Sequence, residues 1–231
     1  MSIDETGLCR LMAWLSPSFP VGAFSYSHGL EWAVEDGLVK DGAALARWVE
    51  GVVALGAGRS DAALLLAAHR AVLASDREGL DWAAERGAVL RPTAELGLES
   101  SAQGQAFLNT VRAAWPHPFL EDWAKRLKEM GHPPAYPVAV GVASALAGIT
   151  ERAALAAFLH AFAANLVSAA VRLVPLGQTD GQRAMAALEA PVLAAMEAAL
   201  RRPLDDLGSS APMVDWTSCR HETQYTRLFR S

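Results

Sequence analysis

The feature that most constrains the fold is an uncharged run of 19 residues, 153–171, with the sequence AALAAFLHAFAANLVSAAV. Its length is close to the roughly 20 residues that a helix needs to cross a bilayer. Alanine dominates the run, however, and His160, Asn165 and Ser168 lie inside it, where lipid would penalise their polar groups. The sequence therefore favours a buried core helix of a globular protein over a membrane span.

Helical patterns recur along most of the chain. Alanine-rich segments carry apolar residues every three to four positions, and strictly alternating β-branched runs are absent. We expect Asp41, Ser60, Thr93 and Thr150 to cap the N-termini of four helices, and Gly37 to end another in a left-handed conformation. The predicted fold is all-α, a single helical-bundle-like domain of about ten helices with a partner-binding C-terminal tail.

A turn-rich segment near the end of the chain sets the predicted domain boundary. The segment RRPLDDLGSSAP contains proline, glycine and serine, and it follows the last long predicted helix, 181–201. We therefore divide the chain into an all-α domain, 1–208, and a C-terminal tail, 209–231.

Composition and charge limit the classes of function. The chain is 52% hydrophobic and 19% charged, which is typical of a folded globular protein. Its formal net charge of −5 offers no basic face for nucleic acid, and we expect no nucleic-acid binding. Two cysteines only, Cys9 and Cys219, and an N-terminus that opens acidic rather than basic favour a cytoplasmic location.

Motifs for catalysis are missing from the sequence. PLGQTDGQ (175–182) lacks the lysine and the spacing of a phosphate-binding loop, and we expect a turn capped by Asp180. SYSHG (25–29) brings serine and histidine together, but it is not a nucleophile elbow and supplies no orienting acid. Glu31 and Glu35, at i and i+4, predict a solvated helix face. We therefore predict no enzyme, no catalytic residue and no cofactor.

One pair of residues leaves a metal site open. Cys219 and His221 place a thiol and an imidazole two positions apart. Such ligands suit a borderline divalent ion such as nickel. The alternative function is therefore a nickel-binding metallochaperone that uses these two side chains.

The final segment, RHETQYTRLFRS (220–231), has an unusual composition for a chain end. It holds three arginines against one glutamate and keeps bulky apolar groups. In a helical arrangement, one stripe would contain His221, Tyr225, Leu228 and Phe229, and the opposite flank Arg220, Arg227 and Arg230. That layout predicts a segment that inserts its aromatic rings into a groove of a partner. The alternative is that the tail packs on its own domain.

The segment SPSFPVGAFSYSHGLEW (16–32) poses a similar choice. Its prolines and Gly22 force a bent, extended path, and Phe24, Tyr26 and Trp32 cluster just after them. Core packing under a loop and a contact surface for a partner both explain this cluster.

Three stretches of the chain resemble a known family. They are residues 11–37, LMAWLSPSFPVGAFSYSHGLEWAVEDG; residues 165–182, NLVSAAVRLVPLGQTDGQ; and the tail, residues 220–231. In this order they resemble UreF, a family of urease accessory proteins. The resemblance implies an all-α homodimer in the cytoplasm that has no catalytic activity of its own.

The resemblance also implies partners. UreF proteins join the GTPase UreG and the accessory protein UreD, also called UreH, in a complex that inserts nickel into apo-urease. That complex handles the nickel, and no cofactor of this chain itself is implied. The tail of the family becomes ordered on UreD, and the family is expected to regulate GTP hydrolysis by UreG.

The tail and the matched stretches together supply the predicted partner-binding residues. These are Arg220, His221, Glu222, Gln224, Tyr225, Arg227, Leu228, Phe229, Arg230, Phe24, Ser25, Tyr26, His28, Gly29, Arg172 and Gln178. The chain departs from the family pattern at Gly97 and Gln105, where the pattern has arginines. If either arginine serves as a finger towards a phosphate, this chain lacks it.

Overall fold

The computed structural model describes residues 4–204 and 206–231. Within these ranges the chain forms eleven α-helices and one 3₁₀ turn, and no strand. The prediction of an all-α fold is confirmed.

The elements follow one another with short connections. In chain order they are α1 (Glu5–Trp14), a 3₁₀ turn (Ala23–Ser25), α2 (Leu30–Glu35), α3 (Gly42–Ala54), α4 (Ala57–Ala74), α5 (Arg77–Val89), α6 (Ala94–Ala114), α7 (Pro118–Met130), α8 (Tyr136–Leu146), α9 (Glu151–Leu173), α10 (Gln178–Arg201) and α11 (Pro212–His221).

Three of the four predicted N-caps are confirmed. The side chains of Asp41, Thr93 and Thr150 each accept a hydrogen bond from the main-chain N–H three residues later. The prediction for Ser60 is wrong, because α4 begins three residues earlier. Ser60 therefore lies within the first turn of α4, where its hydroxyl donates to the Ala57 carbonyl at 3.1 Å.

The prediction for the turn at Gly37 is confirmed, whereas Asp180 does not hold the N-cap position. Gly37 has a φ of +74° after α2, so its predicted left-handed conformation is confirmed. Asp180 instead lies in the first turn of α10, where its carboxylate accepts the N–H of Gly177 at 3.3 Å. Gly177 itself holds the N-cap position.

The core is built around α4, which is buried along most of its length and packs against α8, α5 and α9. Small residues allow this close packing. A Cβ on Gly141 of α8 would lie 2.4 Å from the Leu65 carbonyl oxygen of α4. The apolar face of α8 and the long side chains of α9, including Leu155, Phe158 and Leu166, fill the space around α4.

The uncharged run forms α9, as predicted. Two stretches, Gly42–Ala74 and Glu151–Leu173, are long and apolar enough to cross a membrane by length and composition alone. Their most apolar windows are 72% and 50% buried inside the fold, which is the behaviour of core helices. The residues of α9 that are not fully buried include five alanines, together with polar side chains such as His160, Asn165 and Ser168.

The tail does not continue as a helix. Helix α11 packs against α2 and ends at His221, and the following residues form turns. The predicted helical stripe that continues from His221 through Phe229 is therefore wrong. The contact with α2 is close, because a Cβ on Gly29 would lie 2.9 Å from the main-chain nitrogen of Ser218.

Candidate partner-binding surface of the tail and the loop 22–29

From here on, the tail means residues 221–231, which lie on the helical domain next to α2 and α6; its first residue is His221. This residue ends α11 and is completely buried. Its Nε2 lies 3.0 Å from Glu31 Oε2 of α2, and its Nδ1 lies 2.6 Å from Glu95 Oε2 of α6. His221 therefore connects two carboxylates that are distant in the sequence.

The same two carboxylates hold the residues after His221. The main-chain N–H groups of Leu228 and Phe229 donate to Glu31 at 2.7 and 2.9 Å. Arg227 Nη1 donates to Glu95 Oε1 at 2.6 Å. Because the two amides bond to a carboxylate, they are not available for helical bonds to carbonyls four residues earlier, which explains the irregular path of the tail.

Phe229 is the apolar anchor of the tail in its own domain. Its side chain belongs to the buried core, and only 4% of the residue is exposed. The Arg172 guanidinium lies 4.3 Å from the centre of the Phe229 ring and 3.8 Å from that of Phe24. Arg172 Nη1 also donates to the Phe24 carbonyl at 3.0 Å, and burial lowers the pKa of this arginine. Arg172 thus links the loop to the tail.

The end of the tail pairs with the loop 22–29. Arg230 donates its main-chain N–H to the Ser25 carbonyl at 2.8 Å, and Ser27 donates its own to the Ser231 carbonyl at 2.8 Å. The Arg230 guanidinium lies 5.8 Å from the centre of the buried Tyr26 ring. Loop and tail are therefore one structural unit.

A buried polar cluster contacts both the loop and the tail. The Ser231 hydroxyl donates to Glu99 at 2.7 Å, and His28 Nδ1 lies 3.3 Å from the same oxygen. Burial alone would raise the pKa of Glu99, but the charge and hydrogen bond of His28, followed by Ser231 and Arg91, lower it overall. His28 takes a φ of +59°, which a residue with a side chain rarely adopts. The surrounding contacts hold it there.

A second ion pair lies beside this cluster. Arg91 Nη2 lies 2.7 Å from Asp61 Oδ1 and donates to the Ser100 hydroxyl at 2.9 Å. Burial raises the pKa of Asp61, and the nearby charge of Arg91 offsets only part of that effect. Both side chains are largely buried, and both form part of the wall of the cavity described below.

Several large apolar side chains of the loop and tail point outwards. Tyr225 is fully exposed, Phe24 is 66% exposed and Leu228 is 63% exposed. We call these three side chains the tail–loop surface. Exposed aromatic and aliphatic groups held on an ordered backbone are typical of contact sites for other proteins. Tyr225 and Leu228 thus have the exposure that partner binding needs, whereas Phe229 does not.

The structure brings most of the predicted partner-binding residues together. Ser25, Tyr26, His28 and Arg172 contact the tail directly, Phe24 packs against the Arg172 guanidinium, and Gly29 lies against α11. Glu222 accepts the N–H of Ala94 at 3.1 Å, which ties the start of the tail to α6. Gln178 is exposed in the first turn of α10 and makes no bond to the tail in the described residues.

Sequence reasoning missed the acids that hold the tail. Glu31 was predicted on a solvated face but is only 7% exposed, whereas Glu35 is exposed as predicted. The sequence does not mark Glu95 or Glu99 as functional. Their histidine partners lie far away in the sequence, 71 positions for Glu99 and His28 and 126 for Glu95 and His221; the one nearby partner, Gln103, donates to Glu99 at 3.4 Å.

The proposed ligands Cys219 and His221 are not arranged as a metal site. Both ring nitrogens of His221 already face carboxylates, and the thiol of Cys219 is free and exposed. Across residues 4–204 and 206–231, no group of three or more histidine, cysteine or acidic side chains could hold a metal ion. This arrangement does not support the metallochaperone alternative.

An open cavity of about 790 Å³ is lined by α1, α6, α9, α10 and the loop 22–29, and its polar wall includes His28, Asp61, Arg91 and Glu99. Small side chains of the outer face of α9 form part of its wall, together with larger apolar residues of α1 and α10. These include Ala153, Ala157, Ala161, Leu8, Met12 and Leu193. Met12 and Leu193 are more than half exposed, so the cavity is part of an apolar groove on the surface.

Comparison with known proteins adds independent information. The UreF family model matches residues 39–189. The urease accessory protein UreF of Granulibacter bethesdensis is 53% identical over 230 residues, which cover 100% of this chain and 96% of the relative. UreF of Rhodopseudomonas palustris is 53% identical over 228 residues, covering 99% and 93%. UreF of a Bradyrhizobium species is 49% identical over 229 residues, covering 99% and 94%.

Proposed function

The chain belongs to the UreF family, and on that premise we propose that it is a urease accessory protein that acts by binding other proteins rather than by catalysis. Its partners are UreD (UreH), UreG and apo-urease, and the assembly inserts nickel during urease maturation in the cytoplasm. Nickel is the cargo of the assembly rather than a resident cofactor of this chain.

The tail–loop surface is the observation that carries the proposal. A hydrogen-bonded network fixes the backbone of the tail, while Tyr225 and Leu228 remain exposed. An ordered backbone reduces the entropy that is lost when a partner binds. We assign UreD to this surface, with Tyr225 and Leu228 as the inserted side chains and Phe229 as the internal anchor.

The apolar groove between α1, α9 and α10 supports the formation of a homodimer. Exposed apolar side chains surround alanines of α9 there, and a two-fold axis would bring two such surfaces together. Burying the groove would cover part of the α9 surface that the monomer leaves partly exposed, including Ala153, Ala157 and Ala161.

Regulation of UreG is proposed to operate without an arginine from α6 at the two departing positions. Gly97 has no side chain to offer, and the exposed Gln105 donates its amide to Asn109 at 2.9 Å. An effect on GTP hydrolysis would therefore come from binding and positioning UreG rather than from a guanidinium at either position.

Co-purification with UreD tests the proposal. We expect the double variant Tyr225→Ala/Leu228→Ala to lose UreD while keeping its helical content, because truncation of a buried interface anchor costs about 2 kcal/mol or more. Thr226→Ala is the matched control, since Thr226 is also exposed and lies between Tyr225 and Leu228. Light scattering on the same samples reports the homodimer. Equal UreD binding by the double variant and the control would refute the assignment.

A further inference from the structure

The open cavity lined by α1, α6, α9 and α10 combines an apolar wall with a polar end. Aliphatic and aromatic side chains and the alanines of α9 form the wall, whereas four largely buried polar side chains line the other end. We call these four the polar floor: His28, Asp61, Arg91 and Glu99. The volume of about 790 Å³ lies within the roughly 300–1,000 Å³ that sites for small organic molecules occupy. The cavity therefore suits an amphipathic molecule.

One buried nitrogen of the polar floor has no hydrogen-bond partner. The Nδ1 of His28 lies 3.3 Å from Glu99 Oε2, whereas its Nε2 meets no partner in residues 4–204 and 206–231. The residue is only 5% exposed, and it lines the cavity. A buried polar atom without a partner costs free energy. A polar group bound at the floor would supply the missing partner.

The charges around the cavity favour a cation. Among the described residues that line it, Asp61, Glu99 and Glu189 carry carboxylates, Arg91 carries the single guanidinium, and no lysine is present. Arg91 Nη2 already lies 2.7 Å from Asp61 Oδ1. Burial nevertheless raises the pKa of Asp61, because the charge of Arg91 offsets only part of the desolvation. A second cation beside Asp61 would stabilise its ionised form.

The aromatic rings of the wall point to the same kind of ligand. The ring centre of Phe162 lies 5.3 Å from that of His28, and those of Tyr136 and Phe158 lie 5.6 Å apart. Ring faces attract cations, most strongly where water is excluded. Across the described ranges, no group of three or more histidine, cysteine or acidic side chains could hold a metal ion. An organic cation fits better, because its apolar part would also cover the wall.

We propose that this cavity binds a primary alkylammonium compound, with the ammonium group at the polar floor and the alkyl stem along the alanines of α9. The inference does not rest on the proposed function, since it concerns a small ligand of the chain itself rather than a protein partner. Glu99 of the floor also accepts the Ser231 hydroxyl at 2.7 Å, so the bound ammonium group would lie close to the end of the tail.

Isothermal titration of the full chain at neutral pH tests the proposal with three probes that share a six-carbon stem. They are n-hexylamine, which is cationic because alkyl amines ionise near pH 10, 1-hexanol, which is neutral, and hexanoate, which is anionic. Titrations at two temperatures reveal binding whose heat is near zero at one of them. We expect hexylamine to bind at least about tenfold more tightly than the other two.

The probes also define the results that would overturn the proposal. Equal binding of hexanol would mean that the cavity selects only for an apolar stem. Tighter binding of hexanoate would assign the floor to an anion, which Arg91 Nε would favour because it too has no hydrogen-bond partner in the described part of the chain. Absence of hexylamine binding at about millimolar concentrations would equally refute the site.

Ala157→Leu tests whether the amine binds in this cavity. The larger side chain would occupy the wall without changing any charge, so hexylamine binding should be lost. Ala186→Leu is the matched control, because Ala186 is exposed on α10 and does not line the cavity. Circular dichroism checks that both variants keep their helical content. Unchanged binding by Ala157→Leu would place the amine elsewhere and contradict the proposal.

Two carboxylate variants test the ammonium group. Asp61→Asn should weaken hexylamine binding about tenfold, but it removes the partner of the buried Arg91 and can unfold the chain. Glu189→Gln avoids this risk because Glu189 is exposed at the cavity, and it should weaken binding about two- to fivefold. Glu35→Gln, at an exposed position outside the cavity, should bind as wild type does. Wild-type affinity in Glu189→Gln, or an equal loss in Glu35→Gln, would count against an ammonium site.

Discussion

The structure predicts very different losses of stability for two neighbouring substitutions, Phe229→Ala and Leu228→Ala. Phe229 is 4% exposed within the core, and Leu228 is 63% exposed. Removal of a buried phenylalanine ring costs about 3–5 kcal/mol. The loss in free energy of unfolding should lie at the lower end of this range, about 3 kcal/mol, because the tail can lift from the domain and return its polar groups to water.

This loss includes the contact between Arg172 and Phe229. Its guanidinium lies 4.3 Å from the ring centre, and such contacts contribute about 0.5–2 kcal/mol. In a chain of this size, a loss of about 3 kcal/mol lowers the melting temperature by roughly 6–12 °C. Leu228→Ala should change the free energy of unfolding by less than about 0.5 kcal/mol, since its side chain is mostly in solvent.

Urea unfolding followed by circular dichroism measures both variants. The reasoning requires Phe229→Ala to be clearly less stable and Leu228→Ala to match wild type. If Leu228→Ala is the more destabilised, or if neither variant changes, Phe229 is not an internal anchor and the tail is not docked as described. Leu228→Ala should weaken UreD binding even though it leaves the stability of the chain unchanged.

Two further substitutions test other parts of the structure. The pKa of Glu99 lies below its ordinary value of 4.5, so the ionised carboxylate stabilises the fold above that value, and this stabilisation is lost as the pH falls through the lowered pKa. We expect Glu99→Gln to be less stable than wild type at neutral pH and to lose less free energy of unfolding on acidification. Urea unfolding at several pH values measures both effects. Gly104→Ala would place a Cβ 2.0 Å from the Pro134 carbonyl oxygen, and thermal unfolding should show a loss of about 1–3 kcal/mol. A Gly104→Ala chain as stable as wild type would show that α6 does not pack this closely.

Much of the helical framework could be predicted because its causes are local. The caps at Asp41, Thr93 and Thr150 involve a side chain and an amide three residues apart, which any chain with that spacing can form. Ser60 shows the limit of this reasoning. It has the chemistry of a cap, but α4 begins at Ala57, and the Ser60 hydroxyl donates to the Ala57 carbonyl within the first turn.

The sequence alone determined the all-α class, the buried character of the uncharged run and the unusual apolar and basic composition of the tail. Only the tertiary structure decided which side of the tail faces inwards. That choice depends on Glu31 and Glu95, which lie 190 and 126 positions before His221. A carboxylate is solvated by water unless folding brings donors to it, and no local pattern reveals donors that arrive from the other end of the chain.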